Sequence, residues 1–119
     1  MVQYGPVDNM KGNTPIDDRS DLSDALKKMD RAFVLFYASW CPFSKRFLPV
    51  FDEFAKKNTG SCLRVLVDDN EDICDKYKIS VYPTVLFFKK GRVVKRLDGI
   101  SGEGLNEKKL KDFIGECSG

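Results

Sequence analysis

The chain contains no histidine, which removes the residue that most often completes a mixed metal site. Long apolar runs are missing too. Stretches such as FVLFY and TVLFF are about five residues long, against the roughly 20 needed to span a bilayer. No basic block is present: 20 Lys and Arg face 18 Asp and Glu, for a net charge of +2, which gives no footing for nucleic acid. Cysteine is sparse, with four residues at 41, 62, 74 and 117. They are too widely spaced for a zinc knuckle and too few for a disulfide-built secreted scaffold. The opening segment MVQYGPVDNMKGNTPIDDRS has no basic region followed by an apolar core, so it does not read as a secretory signal. These absences lead to the expectation of a soluble cytoplasmic protein, a monomer with no metal, cofactor, membrane or nucleic acid partner.

At 119 residues the chain suits one domain with a real hydrophobic core. Residues 1–18, rich in Gly, Pro, Asn and Asp, are expected to form an irregular arm that contributes at most an edge strand; residues 19–119 would be the folded domain. Leu22, Ala25, Leu26 and Met29 fall at helical spacing, with Ser20 in the cap position and Lys27 and Lys28 in the last turn. FVLFY (33–37) has the unbroken apolar character of a strand covered on both faces. Phe43, Phe47, Val50, Phe51 and Phe54 then repeat as a helix, kinked by Pro49 and stopped by Gly60. CLRVLVDD reads as a second buried strand, followed by a short helix over 70–77. PTVLFF, the turn KKGR and VVKRL predict an antiparallel hairpin. A closing helix is capped by Asn106 and carries the stripe Leu110, Phe113, Ile114 and Cys117. The segment DGISGEGLNEKK reads as a solvated loop.

Strand–helix–strand units followed by a hairpin and a helix predict an α/β sandwich, a central mixed sheet flanked by helices on both faces. Sites in such open sheets gather beyond the carboxyl ends of the parallel strands. Cys41 falls just past one of them and immediately before a helix, where free backbone N–H groups and the positive end of the helix dipole favour thiolate over thiol. Lys45 and Arg46 add positive charge a turn later, and the thiolate is the form that attacks a disulfide. Cys62 opens a strand and Cys117 continues a helical stripe, both consistent with packing. Cys74, on the short helix beside Ile73, is also read as packing, although an exposed thiol there would be open to oxidation.

With these residues in view, the sequence resembles the thioredoxin family. FVLFYASWCPFSKRFLPVFDEFAKK is similar to that family's strand, Trp-Cys-x-x-Cys motif and following helix, including the spacing from Cys41 to Pro49. YKISVYPTVLFFKKGRVVKRLDG is similar to its distal half. The resemblance implies the thioredoxin fold and a thiol-disulfide oxidoreductase of protein disulfides with Cys41 as nucleophile, served by a reductase or a small thiol as electron donor. It also implies a cis peptide before Pro83, and a docking surface made of Trp40, Pro42, Phe43, Tyr82 and Pro83, with the Tyr82 backbone open to an extended substrate segment.

The sequence departs from the family pattern in three places. Ser44 occupies the position of the second, resolving cysteine, and a hydroxyl cannot form the disulfide that expels a reduced substrate. Leu35 replaces the buried acid found in many members, and Pro42-Phe43 replaces the commoner Gly-Pro. Ser44 is compatible with an engineered Cys→Ser trap and with a natural monothiol enzyme released by a thiol such as glutathione. A non-catalytic client-binding module is a further reading. CPFS is also similar to the Cys-Gly-Phe-Ser motif of monothiol glutaredoxins, but the chain lacks a Gly-Gly-Cys-Asp type segment to hold glutathione.

Overall fold

The computed structural model describes residues 14–16, 19–58 and 61–118. Strand β1 (Thr14–Ile16) is followed by helix α1 (Arg19–Lys28), β2 (Arg31–Tyr37), α2 (Pro42–Lys57) and β3 (Cys62–Leu66). Then come α3 (Glu71–Lys76), β4 (Thr84–Lys89), β5 (Arg92–Asp98) and α4 (Glu107–Ser118). The strands form one five-stranded sheet in the order β1-β3-β2-β4-β5. The β1–β3 and β3–β2 pairs are parallel, whereas β2–β4 and β4–β5 are antiparallel. This is the mixed sheet between helices that the sequence predicts. Most of the segment expected as an irregular arm, residues 1–13 and 17–18, lies outside the described residues, as does the expected stop at Gly60.

Strand β2 sits at the centre of the sheet because its apolar run is buried on both faces. Successive side chains on a strand point to opposite sides, so Val34 and Phe36 join one core and Phe33 and Leu35 the other. Strand β4 divides likewise, with Leu86 and Phe88 on the first side and Val85 and Phe87 on the second. The first core is closed by Leu22 and Leu26 of α1 and Ile73 of α3. The second is closed by Phe47 and Phe51 of α2 and by Leu110 and Phe113 of α4. Phe33 lies at the centre of the second, 4.8 Å from the Phe87 ring and edge-on to Phe54 at 5.1 Å. Leu35 is fully buried there, so an apolar side chain fills the place where the resemblance brings an acid in many relatives.

Several local expectations need correcting. Helix α1 begins at Arg19, which puts Ser20 inside the first turn and not at the cap. The strand expected through CLRVLVDD ends at Leu66, and Val67–Asp69 forms a 3₁₀ turn. The Asp-Asp-Asn run is a poor strand former, and the Asn70 side-chain amide donates to the Leu66 carbonyl at 2.8 Å, closing the chain back on the strand end. Nor is DGISGEGLNEKK a solvated loop throughout. Ile100 and Gly104 pair across it, and Gly104 and Leu105 are buried. Asn106 does cap α4, its Oδ1 accepting the Lys109 N–H at 2.9 Å.

Candidate active site at the start of helix α2

Cys41 is the N-cap residue of α2, with extended backbone angles (φ −93°, ψ 120°). Pro42 follows in the first turn, where its fixed φ suits a helix start and its missing N–H costs nothing. The first turn holds no acidic residue, so nothing there opposes the positive end of the helix dipole. Lys45 and Arg46 are exposed one turn on, and the Arg46 guanidinium lies over the Phe43 ring, 5.2 Å from its centroid. Among the described residues all four cysteines are free.

Cys41 is 7% exposed and its sulfur lies 3.9 Å from the Tyr82 carbonyl oxygen, within range of a weak S–H···O contact. The Tyr82–Pro83 peptide is cis. Trp40, the preceding residue, is 64% exposed and meets the Tyr82 ring edge-on, with centroids 5.7 Å apart. Pro42 is exposed, Phe43 and Tyr82 are half-buried, and Pro83 is buried. Trp40, Cys41 and Tyr82 therefore come together, while Pro83 lies beneath this surface. Ser44 is fully buried and its hydroxyl oxygen accepts the Ala38 N–H at 3.1 Å.

The other thiols sit in settings that suppress ionisation. Burial pushes the Cys62 thiol up to about 12. Cys74 is raised to about 11 by burial, with Asp75, Asp72 and Glu71 adding to the effect. Cys74 is buried in the first core, which answers the concern about an exposed thiol on the short helix. Burial also raises Cys117, against the opposing charges of Lys95 and Arg31.

Parts of the site escape sequence reasoning. Asp68, in the turn after β3, accepts the Ser39 N–H at 3.1 Å and also the Ser39 hydroxyl. These two bonds hold its carboxyl below the usual carboxylate range. The available signal was topological: loops that follow two adjacent parallel strands meet at the same end of the sheet. Gly99 and Gly104 are also part of the frame. A Cβ on Gly99 would lie 2.4 Å from the Pro83 carbonyl oxygen, and one on Gly104 (φ +75°) would lie 2.6 Å from the Phe43 Cβ. The Thr84 hydroxyl donates to the Val81 carbonyl at 2.8 Å and accepts the Gly99 N–H at 3.4 Å, tying the Pro83 loop to the end of β5. The described residues contain no group of three or more Cys, Asp or Glu that could hold a metal, and no helix among them is long and apolar enough to cross a membrane.

Known proteins share this fold. The Thioredoxin family's sequence model matches residues 14–116. Thioredoxin H5 of Arabidopsis thaliana is 33% identical over 91 residues, covering 76% of this chain and 77% of its own. Human Endoplasmic reticulum resident protein 44 is 37% identical over 87 residues, 66% of this chain; the match spans only 21% of that longer protein. Among solved structures, Fasciola hepatica thioredoxin superposes with a TM-score of 0.76 at 28% identity, covering 87% of this chain and 97% of its own. With the family match over nearly the whole described chain, and relatives of this fold and length, the chain belongs to the thioredoxin family.

Proposed function

We propose that the protein is a monothiol thiol-disulfide oxidoreductase that acts on protein disulfides through Cys41. The observation that carries this reading is the placement of the Cys41 sulfur: at the N-cap of α2 and 3.9 Å from the carbonyl of Tyr82, the residue whose ring meets the exposed Trp40. A substrate segment lying along Tyr82 would bring its disulfide to that sulfur, with Trp40, Pro42 and Phe43 as walls and Pro83 supporting from below. Cys41 thiolate attacks one substrate sulfur, an S–S bond forms between them, and the other substrate sulfur leaves as thiolate.

Ser44 has no thiol with which to continue, and its hydroxyl oxygen is engaged by the Ala38 amide. An external thiol such as glutathione would therefore release the first product, and a second would free Cys41. The substrate disulfide ends as two thiols and the small thiol as its disulfide.

The test replaces Ser44 with cysteine. In the unaltered protein a mixed disulfide with a protein substrate should persist until a small thiol is added, as read by non-reducing gels and mass spectrometry. Ser44→Cys should release the same substrate without added thiol, at least about tenfold faster, because the second sulfur attacks within the molecule. If Ser44→Cys binds clients tightly and still turns nothing over, the domain is a client-binding module and the oxidoreductase reading is wrong.

A further inference from the structure

The turn from Ala38 to Cys41 is fastened from two directions. From below, the buried Ser44 hydroxyl accepts the Ala38 N–H at 3.1 Å. From the side, both oxygens of the Asp68 carboxylate are taken up by one residue: Oδ1 by the Ser39 N–H at 3.1 Å, and Oδ2 by the Ser39 hydroxyl. Hydrogen bonds to an ionised acceptor are about twice as strong as neutral ones, although exposure of this pair lets solvent screen part of the gain. Asp68 lies two residues past the end of β3, whose last residue, Leu66, is paired with Tyr37 of β2. The anchor therefore sits in the 3₁₀ turn that leaves the sheet two residues past this pair. The residue that follows Ser39 is Trp40, and the next is Cys41.

We propose that Asp68 is a positioning residue: by gripping Ser39 at two atoms it sets the Trp40 ring against Tyr82 and so aligns the docking wall with the Cys41 sulfur. It acts through Ser39 and touches neither the sulfur nor the substrate. This inference rests on the Cys41 chemistry proposed above, and it separates two properties of the site. The sulfur itself depends on the start of α2, whereas the wall beside it depends on Asp68. Loss of the anchor should therefore hurt reactions that use the wall and spare those that need only the sulfur.

Two reagents distinguish these cases. A short extended peptide whose cysteine is blocked as a mixed disulfide with 5-thio-2-nitrobenzoate uses the wall; Cys41 bonds to the peptide sulfur and the coloured thiolate leaves. Iodoacetamide needs only the sulfur. Asp68→Ala should slow the peptide reaction about tenfold, the scale of loss from a misplaced reacting pair, and change iodoacetamide labelling less than twofold. The fluorescence anisotropy of Trp40, the one tryptophan in the chain, should fall in the same variant. Asp68→Asn, which keeps an oxygen for the Ser39 N–H and offers an amide to its hydroxyl, should restore both readings to within about twofold of the parent. Unchanged peptide rate and anisotropy in Asp68→Ala would overturn the proposal, and so would an equal fall with both reagents. If Asp68→Ala does not fold, Ser39→Ala removes the hydroxyl bond alone and should move both readings in the same direction by a smaller factor; no movement would overturn the proposal. Should the parent protein itself not react with the peptide through Cys41, the function proposed above fails, and the anisotropy of Asp68→Ala still decides the positioning role.

Discussion

At the scale of single residues, the four thiols differ by setting and not by chemistry. Cys41 lies at a helix start with no acid nearby in the turn, whereas Cys62, Cys74 and Cys117 are raised by burial. Brief alkylation at pH 7.5 followed by peptide mass spectrometry should find Cys41 modified first, with Cys62 and Cys74 labelled only after denaturation. Early labelling of Cys74 with Cys41 unmodified would remove the basis for the proposed chemistry. Cys41 was legible in the sequence because a strand, a cysteine and a helix follow one another directly. The Ser39–Asp68 contact was not, because its partners are 29 positions apart and only the parallel pairing of β2 with β3 brings them together.

At the scale of elements, helix α2 and the segment between β5 and α4 are interdependent. The backbone of Gly104 presses on Phe43, with a left-handed φ of +75° and no room for a Cβ. Gly104→Ala should lower stability by about 1–3 kcal/mol, since it combines the strain of a left-handed non-glycine residue with a steric clash. Chemical denaturation with an unchanged m-value would measure it, and a loss below about 0.5 kcal/mol would mean that Phe43 simply moves aside. Helices and strands with regular apolar patterns were readable in advance, including residues 33–37 of β2, which starts two residues earlier at Arg31, and the cap at Asn106. The β5–α4 segment was not, because its glycines and charges look solvated while its burial comes from a surface, Phe43, supplied by a distant part of the chain.

At the scale of the whole molecule, the buried thiols make stability depend on alkaline pH. Cys62 rises from an ordinary 9.0 to about 12 in the fold, and Cys74 from 9.0 to about 11. A folded-state value above the unfolded one means that the native protein holds its proton more tightly. Their contribution is therefore complete below pH 9 and is lost as pH rises through 11 and 12. Denaturation midpoints should be flat in this respect up to about pH 9 and decline beyond it. Replacing Cys62 by alanine should flatten the decline, and an identical slope in that variant would show that other groups cause it. The sandwich architecture itself followed from the order of elements, since alternating strand and helix patterns ending in a hairpin admit few topologies.

The central sheet keeps two separate packed layers, one under α1 and α3 and one under α2 and α4. Side chains more than about 7–10 Å apart without shared partners perturb a fold independently. Defects placed on opposite sides, for example at Leu26 and at Leu110, should consequently sum. The protein offers two interiors that an engineer can refill one at a time, leaving the far side of the sheet as it was.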